Sequence, residues 1–260
     1  MRLVLNADDF GLSEDTLAST VACFDEGLLT SASIMVGVPA TDRALDYAGA
    51  RPDLSFGVHV NLVGDGVERP VSPPEAVSAL IDDEGRFLPT RTVRMRALLG
   101  RLPVDQLERE ITAQIECVRG AGVPVTHVDS HRHVHKLPTI REGMRRALAK
   151  LDIRRVRNVQ DVYLRRPLRS PTYWLGSSWR RWLMREFQTT THAYMPTSAH
   201  DVAWQEALLE RCGRLPGRLL EIGVHPGTQE AWRDDERRSL AEFVPAARAA
   251  GHELVSWREV

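Results

Sequence analysis

The sequence has few cysteines, no long apolar run and no excess of either charge, and each shortage excludes a class of protein. Its three cysteines, Cys23, Cys117 and Cys212, are far apart and form no C-x-x-C pair, so neither a disulfide framework nor a thiolate zinc site is expected. No apolar stretch reaches the roughly 18 residues of a membrane-spanning helix. The start of the chain turns polar at Asn6, too soon for the core of a signal peptide. These features predict a cytoplasmic protein without a transmembrane segment.

The remaining composition is typical of one globular domain. The 260 residues are 43% hydrophobic and 27% charged, which is too apolar for a disordered chain. The 34 Lys and Arg residues nearly offset the 35 Asp and Glu residues, leaving a formal charge of −1, so no nucleic-acid partner is expected. No repeat or low-complexity segment divides the chain, and we predict a single domain spanning residues 1–260.

Short apolar runs alternate with longer segments of helical period, which is typical of βαβ units and a parallel sheet. This alternation favours an α/β fold of the TIM-barrel-like (β/α) type, in a distorted form. No glycine-rich dinucleotide motif follows the first strand, which disfavours a Rossmann fold. The stretch 167–200 fits the alternation poorly and is predicted to be an insertion. Strands are predicted at 3–7, 32–38, 56–62, 125–129, 154–159, 219–224 and 253–257, and helices at 14–28, 41–50, 104–121, 139–150, 201–212 and 236–250.

Polar side chains stand at the ends of four predicted strands. In a parallel barrel the carboxyl ends of the strands meet at one rim, where active sites form, so these side chains are expected to lie near one another. They are Asn6, Asp8 and Asp9 on the first strand, His59 and Asn61 on the third, His127, Asp129 and His131 on the fourth, and Glu221 and His225 on a late one.

The segment from His127 to His135 carries His, Asp, His, His and His at every second position. If it is extended, all five side chains point the same way. Four imidazoles on one face are costly in a packed core, because each ring has two nitrogens that need partners. A metal ion supplies such a partner, so the pattern favours a metal or catalytic site, with a solvated polar loop as the alternative.

Other positions fit a hydrolytic site, but each has a plainer interpretation. Of the adjacent acids Asp8 and Asp9, one can bind a cation while the other accepts a proton from water, although such acids are also common in turns. His59 is either a ligand or a hydrogen-bonded core residue. His225 precedes a Pro-Gly turn that leaves its imidazole at the rim, either as a general acid or without a role.

These motifs, in this order, resemble those of the YdjC-like carbohydrate deacetylases. Together they span roughly residues 2–228, which is most of the chain, and the stretches that begin at Asn6 and Thr126 are long enough to be specific. The matching stretches are Asn6-Ala7-Asp8-Asp9-Phe10-Gly11, Leu29-Thr30-Ser31-Ala32-Ser33, Gly57-Val58-His59, Thr126 to His135, and His225-Pro226-Gly227.

The resemblance implies a metal-dependent hydrolase with a TIM-barrel-like fold that removes acetyl groups from N-acetylated sugars. The family's metal ligands fall on Asp9, His59 and His131, and magnesium is the implied ion, although zinc also suits one Asp and two His. The acid that neighbours the metal ligand in the family falls on Asp8, which is expected to accept a proton from water. The family's late histidine falls on His225, which is expected to protonate the leaving nitrogen. The residues expected to orient these groups or bind substrate are Asn6, Asn61, Asp129 and Glu221.

Substrate and partners are less closely defined by the resemblance. Family members act on chito-oligosaccharides or are associated with hopanoid glycolipids, so the expected substrate is a small acetamido sugar, free or lipid-linked. The Trp- and Arg-rich stretch 174–187 does not match the family pattern, and the segment 189–196 departs from it. The stretch 174–187 could cover the barrel mouth, form a homodimer contact or touch a glycolipid. A metal-dependent phosphoesterase or amidohydrolase, and a sugar-binding module without catalysis, are the alternative functions.

Overall fold

A curled parallel sheet surrounded by helices forms the centre of the molecule, as in a distorted TIM-like barrel, and confirms the predicted fold class. The computed structural model describes residues 1–64, 66, 68–165, 171–199 and 203–260. The strands are β1 (Arg2–Phe10), β2 (Ser31–Ile34), β3 (Phe56–Val60), β4 (Val125–Ser130), β5 (His192–Tyr194), β6 (Leu219–Val224) and β7 (Glu253–Leu254). The helices are α1 (Glu14–Asp25), α2 (Thr41–Ala50), α3 (Thr90–Leu98), α4 (Val104–Gly120), α5 (Pro138–Lys150), α6 (Pro171–Met184), α7 (Gln205–Cys212) and α8 (Ala231–Ala249).

β1 lies in the middle of the sheet, whose order is β4-β3-β2-β1-β6-β5 with all pairs parallel. The short β7 pairs with the start of β1, and β2 pairs with β1 from Asn6 onward. The register between β1 and β2 shifts between Ala7 and Phe10. Such an irregularity bends a strand and redirects its side chains, and here it coincides with the acidic end of β1.

The segment predicted as a strand at 154–159 lies between β4 and β5 but forms isolated bridges instead of a continuous strand. Val156 bridges Val128 of β4, and Arg155 bridges Gln188, which precedes β5. These bridges continue the curl of the sheet from β4 toward β5. They also bury Arg157 completely inside it.

Two further parts of the predicted element pattern differ from the structure. No helix was predicted at α3, because three of its nine residues are arginine and it buries only Val93 and Ala97, which leaves little helical periodicity. The predicted insertion at 167–200 contains α6 and β5, and β5 pairs with β6, so the sheet resumes before residue 200. Residues 167–170 and 200 lie outside the described part of the chain.

Helix α4 shows why most helices were predictable. Leu107, Ile111, Ile115 and Val118 recur at helical spacing, and all four are fully buried. The start of α1 was also predictable, since Ser13 caps it by accepting a hydrogen bond from a backbone amide of the first turn. Within the ranges that the structure describes, no helix is both long and apolar enough to cross a membrane.

Candidate active site

The end of β1 brings two consecutive carboxylates into one cavity of about 800 Å³. Consecutive side chains of a regular strand point to opposite faces of the sheet. Asp9, however, has a φ of 58°, in the left-handed region that aspartate tolerates better than most residues. Together with the register shift beside it, this conformation lets both Asp8 and Asp9 line the cavity.

Asp9, His59 and His131 form a candidate metal centre. Asp9 Oδ1 lies 3.0 Å from His131 Nδ1 and 3.3 Å from His59 Nε2. All three side chains are buried, and one ligand atom from each lies within 4.8 Å of the others. A single cation can therefore reach the three residues to which the family resemblance assigned the metal.

Neighbouring groups leave the inward-facing atoms of this cluster available to an ion. His59 Nε2 is buried and forms no hydrogen bond with any described residue. The other ring nitrogen, Nδ1, lies 2.8 Å from Asp129 Oδ1, a contact that typically orients metal-binding histidines. Arg233 donates to Asp9 Oδ2 at 2.8 Å, so Oδ1 remains turned toward the histidines. An orphaned imidazole nitrogen beside a carboxylate oxygen fits a divalent metal.

Electrostatics favour an ionised Asp9 and a proton on His59 in the metal-free protein. Burial opposes the charge of Asp9, but His131 and His59 outweigh it and hold the pKa of Asp9 well below its usual range. Burial also opposes the charge of His59, whereas Asp129, Asp9 and Asp8 raise its pKa to about 10. A bound metal would replace this proton, because a ligating imidazole nitrogen is unprotonated.

A second cluster of possible ligand atoms, formed by Asp8, His59 and Asp129, is already in contact with the Arg157 guanidinium. The guanidinium contacts both oxygens of Asp8, at 2.5 and 2.6 Å, and Asp129 Oδ2 at 2.7 Å. A divalent cation added there would meet a buried positive charge at close range. The cluster around Asp9 is therefore the better candidate.

Arg157 holds three buried carboxylates together, since its Nε also donates to Glu221 Oε1 at 2.8 Å. Burial opposes the charge of Asp8, but Arg157, followed by His59 and His225, outweighs it and holds the pKa of Asp8 well below its usual range. For Glu221 burial dominates and raises the pKa to about 7 despite Arg157. Asp8 is thus a carboxylate at neutral pH.

His225 lies next to Asp8, on the loop after β6. Its Nε2 is 3.7 Å from Asp8 Oδ2, and its Nδ1 is 3.1 Å from Glu236 Oε2. The same glutamate oxygen accepts a hydrogen bond from the His225 backbone amide at 2.7 Å. Burial lowers the pKa of His225, but Glu236, Asp8 and Asp9 outweigh it and raise the pKa above its ordinary value. These neighbours favour the protonated ring, the form of His225 that can donate a proton.

The predicted row of histidines on one face ends with β4. The chain turns into a short 3₁₀ helix at His131–Lys136, in which Arg132 and His133 have φ angles of 54° and 51°. His131, His133 and His135 still line the cavity. His127 instead stacks on Trp257 with ring centroids 4.6 Å apart, and burial lowers its pKa to about 3. His127 is therefore a neutral core residue.

The four residues predicted to assist the site lie in different places. Asn6 Nδ2 donates to Asp8 Oδ1 at 3.0 Å, while Asp129 orients His59 and Glu221 contacts Arg157. These three lie behind the residues that line the cavity. Asn61 is buried against a glutamine of α4 and does not line the cavity.

Sequence reasoning missed Arg157, Arg233 and Glu236. Arg157 lies in a segment predicted as a strand, and Glu236 stands at the start of a predicted helix. A charged residue in such a position is normally solvent-exposed, and only the three-dimensional position of its partner shows that it is buried.

Comparison with known proteins identifies the family. The family model of YdjC-like proteins matches residues 2–255. A carbohydrate deacetylase of Thermoanaerobacter pseudethanolicus is 30% identical over 93% of this chain and 85% of its own length. A human carbohydrate deacetylase is 34% identical over 82% of this chain and 65% of its own length. A carbohydrate deacetylase of Brevibacillus brevis is 38% identical over 54% of this chain and 52% of its own length.

A solved structure shares the fold. It is a protein of Enterococcus faecalis V583, provisionally described as a cellobiose-phosphate cleavage protein, with 21% identity and a TM-score of 0.82. The superposition covers 99% of this chain and 98% of that protein. With a family model that matches nearly its whole length, the chain belongs to the YdjC-like family.

Proposed function

We propose that this protein is a metal-dependent hydrolase that removes the acetyl group from an N-acetylated amino sugar and releases acetate. The observation that carries the proposal is the arrangement of Asp9, His59 and His131 around one point, with Asp8 and His225 beside it in the same cavity. This set provides metal ligands, a carboxylate and an imidazole for amide hydrolysis. The similarity to proteins named carbohydrate deacetylases supports the same reaction class.

Asp9 Oδ1, His59 and His131 would hold the metal. When bound, a divalent metal polarises a carbonyl and acidifies water, which is the Lewis-acid chemistry that amide hydrolysis needs. Magnesium is the ion proposed from the family resemblance. Zinc is the alternative, because two imidazole nitrogens and one carboxylate oxygen are also typical zinc donors.

Asp8 is proposed to accept a proton from the attacking water. Arg157 keeps its carboxylate ionised and, by binding both oxygens, fixes its plane. Removing that proton leaves the oxygen lone pair free to attack the acetamide carbonyl.

His225 is proposed to donate the second proton. Its Nδ1 is held by Glu236, so the proton on Nε2 faces the cavity and Asp8. Transfer of this proton to the sugar nitrogen as the C–N bond breaks yields acetate and a free amine. The raised pKa of His225 favours its protonated form, which is the form that a proton donor needs.

The cavity also suits a sugar. Trp232 and Tyr163 provide aromatic surface, and polar side chains surround them. We propose a chito-oligosaccharide or a lipid-linked N-acetylglucosamine as the substrate. We further propose that residues 1–260 act as one domain in the cytoplasm, where the three unpaired cysteines would remain reduced.

The experiment that tests the reaction class compares acetate release from N-acetylglucosamine and N,N′-diacetylchitobiose with phosphate release from p-nitrophenyl phosphate. The protein is stripped of metal and assayed with and without added Mg²⁺, Zn²⁺, Co²⁺ or Mn²⁺. Metal-dependent acetate release without phosphate release supports the proposal. Phosphate release alone would indicate a phosphoesterase, and tight sugar binding without hydrolysis would indicate a binding module.

A further inference from the structure

Helix α3 and the turn after it present a surface that is both apolar and basic. Met95, Leu98 and Leu99 are 53%, 67% and 55% exposed, which is unusual for three large apolar residues so close in sequence. Residues 90–101 include four arginines and no acidic residue. Three of these, Arg91, Arg94 and Arg101, are exposed. Arg94 donates to the carbonyl of Arg132, whereas Arg91 and Arg101 form no side-chain hydrogen bond or ion pair within the described part of the chain.

A second exposed apolar region lies on the other side of α5. Thr139 near the start of α5 donates to a carbonyl of α3 at 2.8 Å. Arg141, two residues further along α5, donates to the carbonyl of Leu183 in α6 and lies 5.4 Å from the ring centre of Trp182. Trp182 is 39% exposed and Trp174, also on α6, is 65% exposed. Helix α6 and the α3 surface therefore lie on either side of the N-terminal end of α5.

Both regions lie at the end of the barrel that holds the candidate site. Helix α5 begins directly after the turn that carries His131. Arg94 of α3 lines the catalytic cavity and also a shallow groove of about 510 Å³ that includes Met95 and Leu98. The α3 surface is thus continuous with the mouth of the cavity.

We propose that the α3 surface docks on an anionic lipid bilayer and holds the mouth of the cavity at the headgroup layer. Short amphipathic helices with arginine beside exposed Leu, Met and Trp bind at this boundary, because the apolar side chains enter it while the cations contact anionic headgroups. The protein as a whole has a charge of −1, so the attraction is local to this surface.

A second copy of the chain fits the same surface less well. A two-fold symmetric contact through α3 would bring Arg91 and Arg101 close to the same residues of the other copy, with no acidic residue in 90–101 to compensate. Phospholipid headgroups such as phosphatidylglycerol supply the missing negative charge. The docking proposal does not rest on the deacetylase reaction.

Vesicle co-sedimentation of the full-length protein tests the proposal. Binding is expected to vesicles of equal parts phosphatidylcholine and phosphatidylglycerol, and to be weak with pure phosphatidylcholine or at high salt. The double variants Leu98→Ser/Leu99→Ser and Arg91→Glu/Arg101→Glu should each bind the anionic vesicles about tenfold more weakly or worse. Both pairs lie outside the catalytic cavity, so acetate release from a soluble substrate should be unchanged.

The matched control is Arg154→Glu/Arg218→Glu, which makes the same charge change at the opposite end of the sheet and should bind vesicles like the parent protein. Equal binding by the parent and both α3 variants, or no vesicle binding at all, would overturn the proposal. So would a concentration-dependent dimer, seen by light scattering, that Leu98→Ser/Leu99→Ser abolishes, because the surface would then belong to a second copy.

Discussion

Asp8 and Asp9 are consecutive in the chain, yet their carboxylates contact different residues inside one cavity. Both oxygens of Asp8 bind the Arg157 guanidinium, whereas Asp9 Oδ1 faces His59 and His131. The left-handed backbone of Asp9 makes this possible, because a regular strand would have placed one of the two carboxylates on the far side of the sheet. Two adjacent acids can therefore have separate tasks, one in proton transfer and one in metal binding.

The change Asp8→Asn tests the proton-transfer task. Since Asp9, His59 and His131 are untouched, metal content should be unchanged. Acetate release should fall by about 10²- to 10⁴-fold, the usual contribution of a general base. The measurement is kcat for metal-loaded protein, with metal content determined on the same sample.

Glu221→Gln is the matched control for Asp8→Asn. Glu221 also binds Arg157 but does not line the cavity, and its pKa of about 7 means that the neutral form is already accessible at neutral pH. Activity within a few-fold of the parent protein is expected. An equal loss in both variants would show that Asp8 acts by positioning Arg157 and not by accepting a proton.

A change at Glu236 should shift the pH dependence of the reaction. Burial lowers the pKa of His225, and Glu236 contributes most to raising it again, followed by Asp8 and Asp9. A proton donor acts in its protonated form, which predominates below its pKa and disappears as the pH rises through that pKa. Glu236→Gln lowers the pKa of His225, so the alkaline fall in kcat/KM should move to lower pH.

The measurement is a pH profile of kcat/KM for the parent protein, Glu236→Gln and Glu242→Gln. Glu242 lies on the same helix α8 but contacts Gln205, away from the cavity, so its variant should keep the parent profile. An unchanged alkaline limb in Glu236→Gln would mean that His225 is not the group that titrates there.

Gly57 should be intolerant of a side chain. A Cβ at this position would lie well inside van der Waals contact with the buried ring of His127. Gly57→Ala is expected to lower the free energy of unfolding by about 1–3 kcal/mol, the usual cost of overpacking a core. Chemical denaturation measures this free energy.

Gly120→Ala is the matched control, at the end of α4, where an added Cβ meets nothing within 4 Å. It should raise the free energy of unfolding by up to about 1 kcal/mol, because alanine favours the helix. If Gly57→Ala unfolds at the same denaturant concentration as the parent protein, the ring of His127 does not occupy the space next to Gly57.

The order of elements and the strand ends were predictable because they depend on local apolar periodicity. The start of α1 at Ser13, the buried stripe of α4 and the extent of β6 all follow from short stretches of sequence. Proximity of Asp9, His59 and His131 was also predictable, since parallel strands end at one rim.

The rest depends on contacts between distant segments or on backbone torsions. The role of Arg157 arises from carboxylates on three separate strands, which no local pattern reveals. The extended arrangement considered for the row of histidines ends at Ser130, where a short 3₁₀ helix follows that contains two consecutive left-handed residues, Arg132 and His133. Left-handed torsions are uncommon for residues other than glycine, so the sequence gives little sign of them.

A metal titration tests the central claim most directly. Protein stripped of metal should release no acetate from N,N′-diacetylchitobiose, and a single equivalent of metal per chain should restore release. His131→Ala should stay inactive at that metal concentration, because one of the three ligands is lost. Full acetate release by the stripped parent protein in the presence of a chelator would contradict the account.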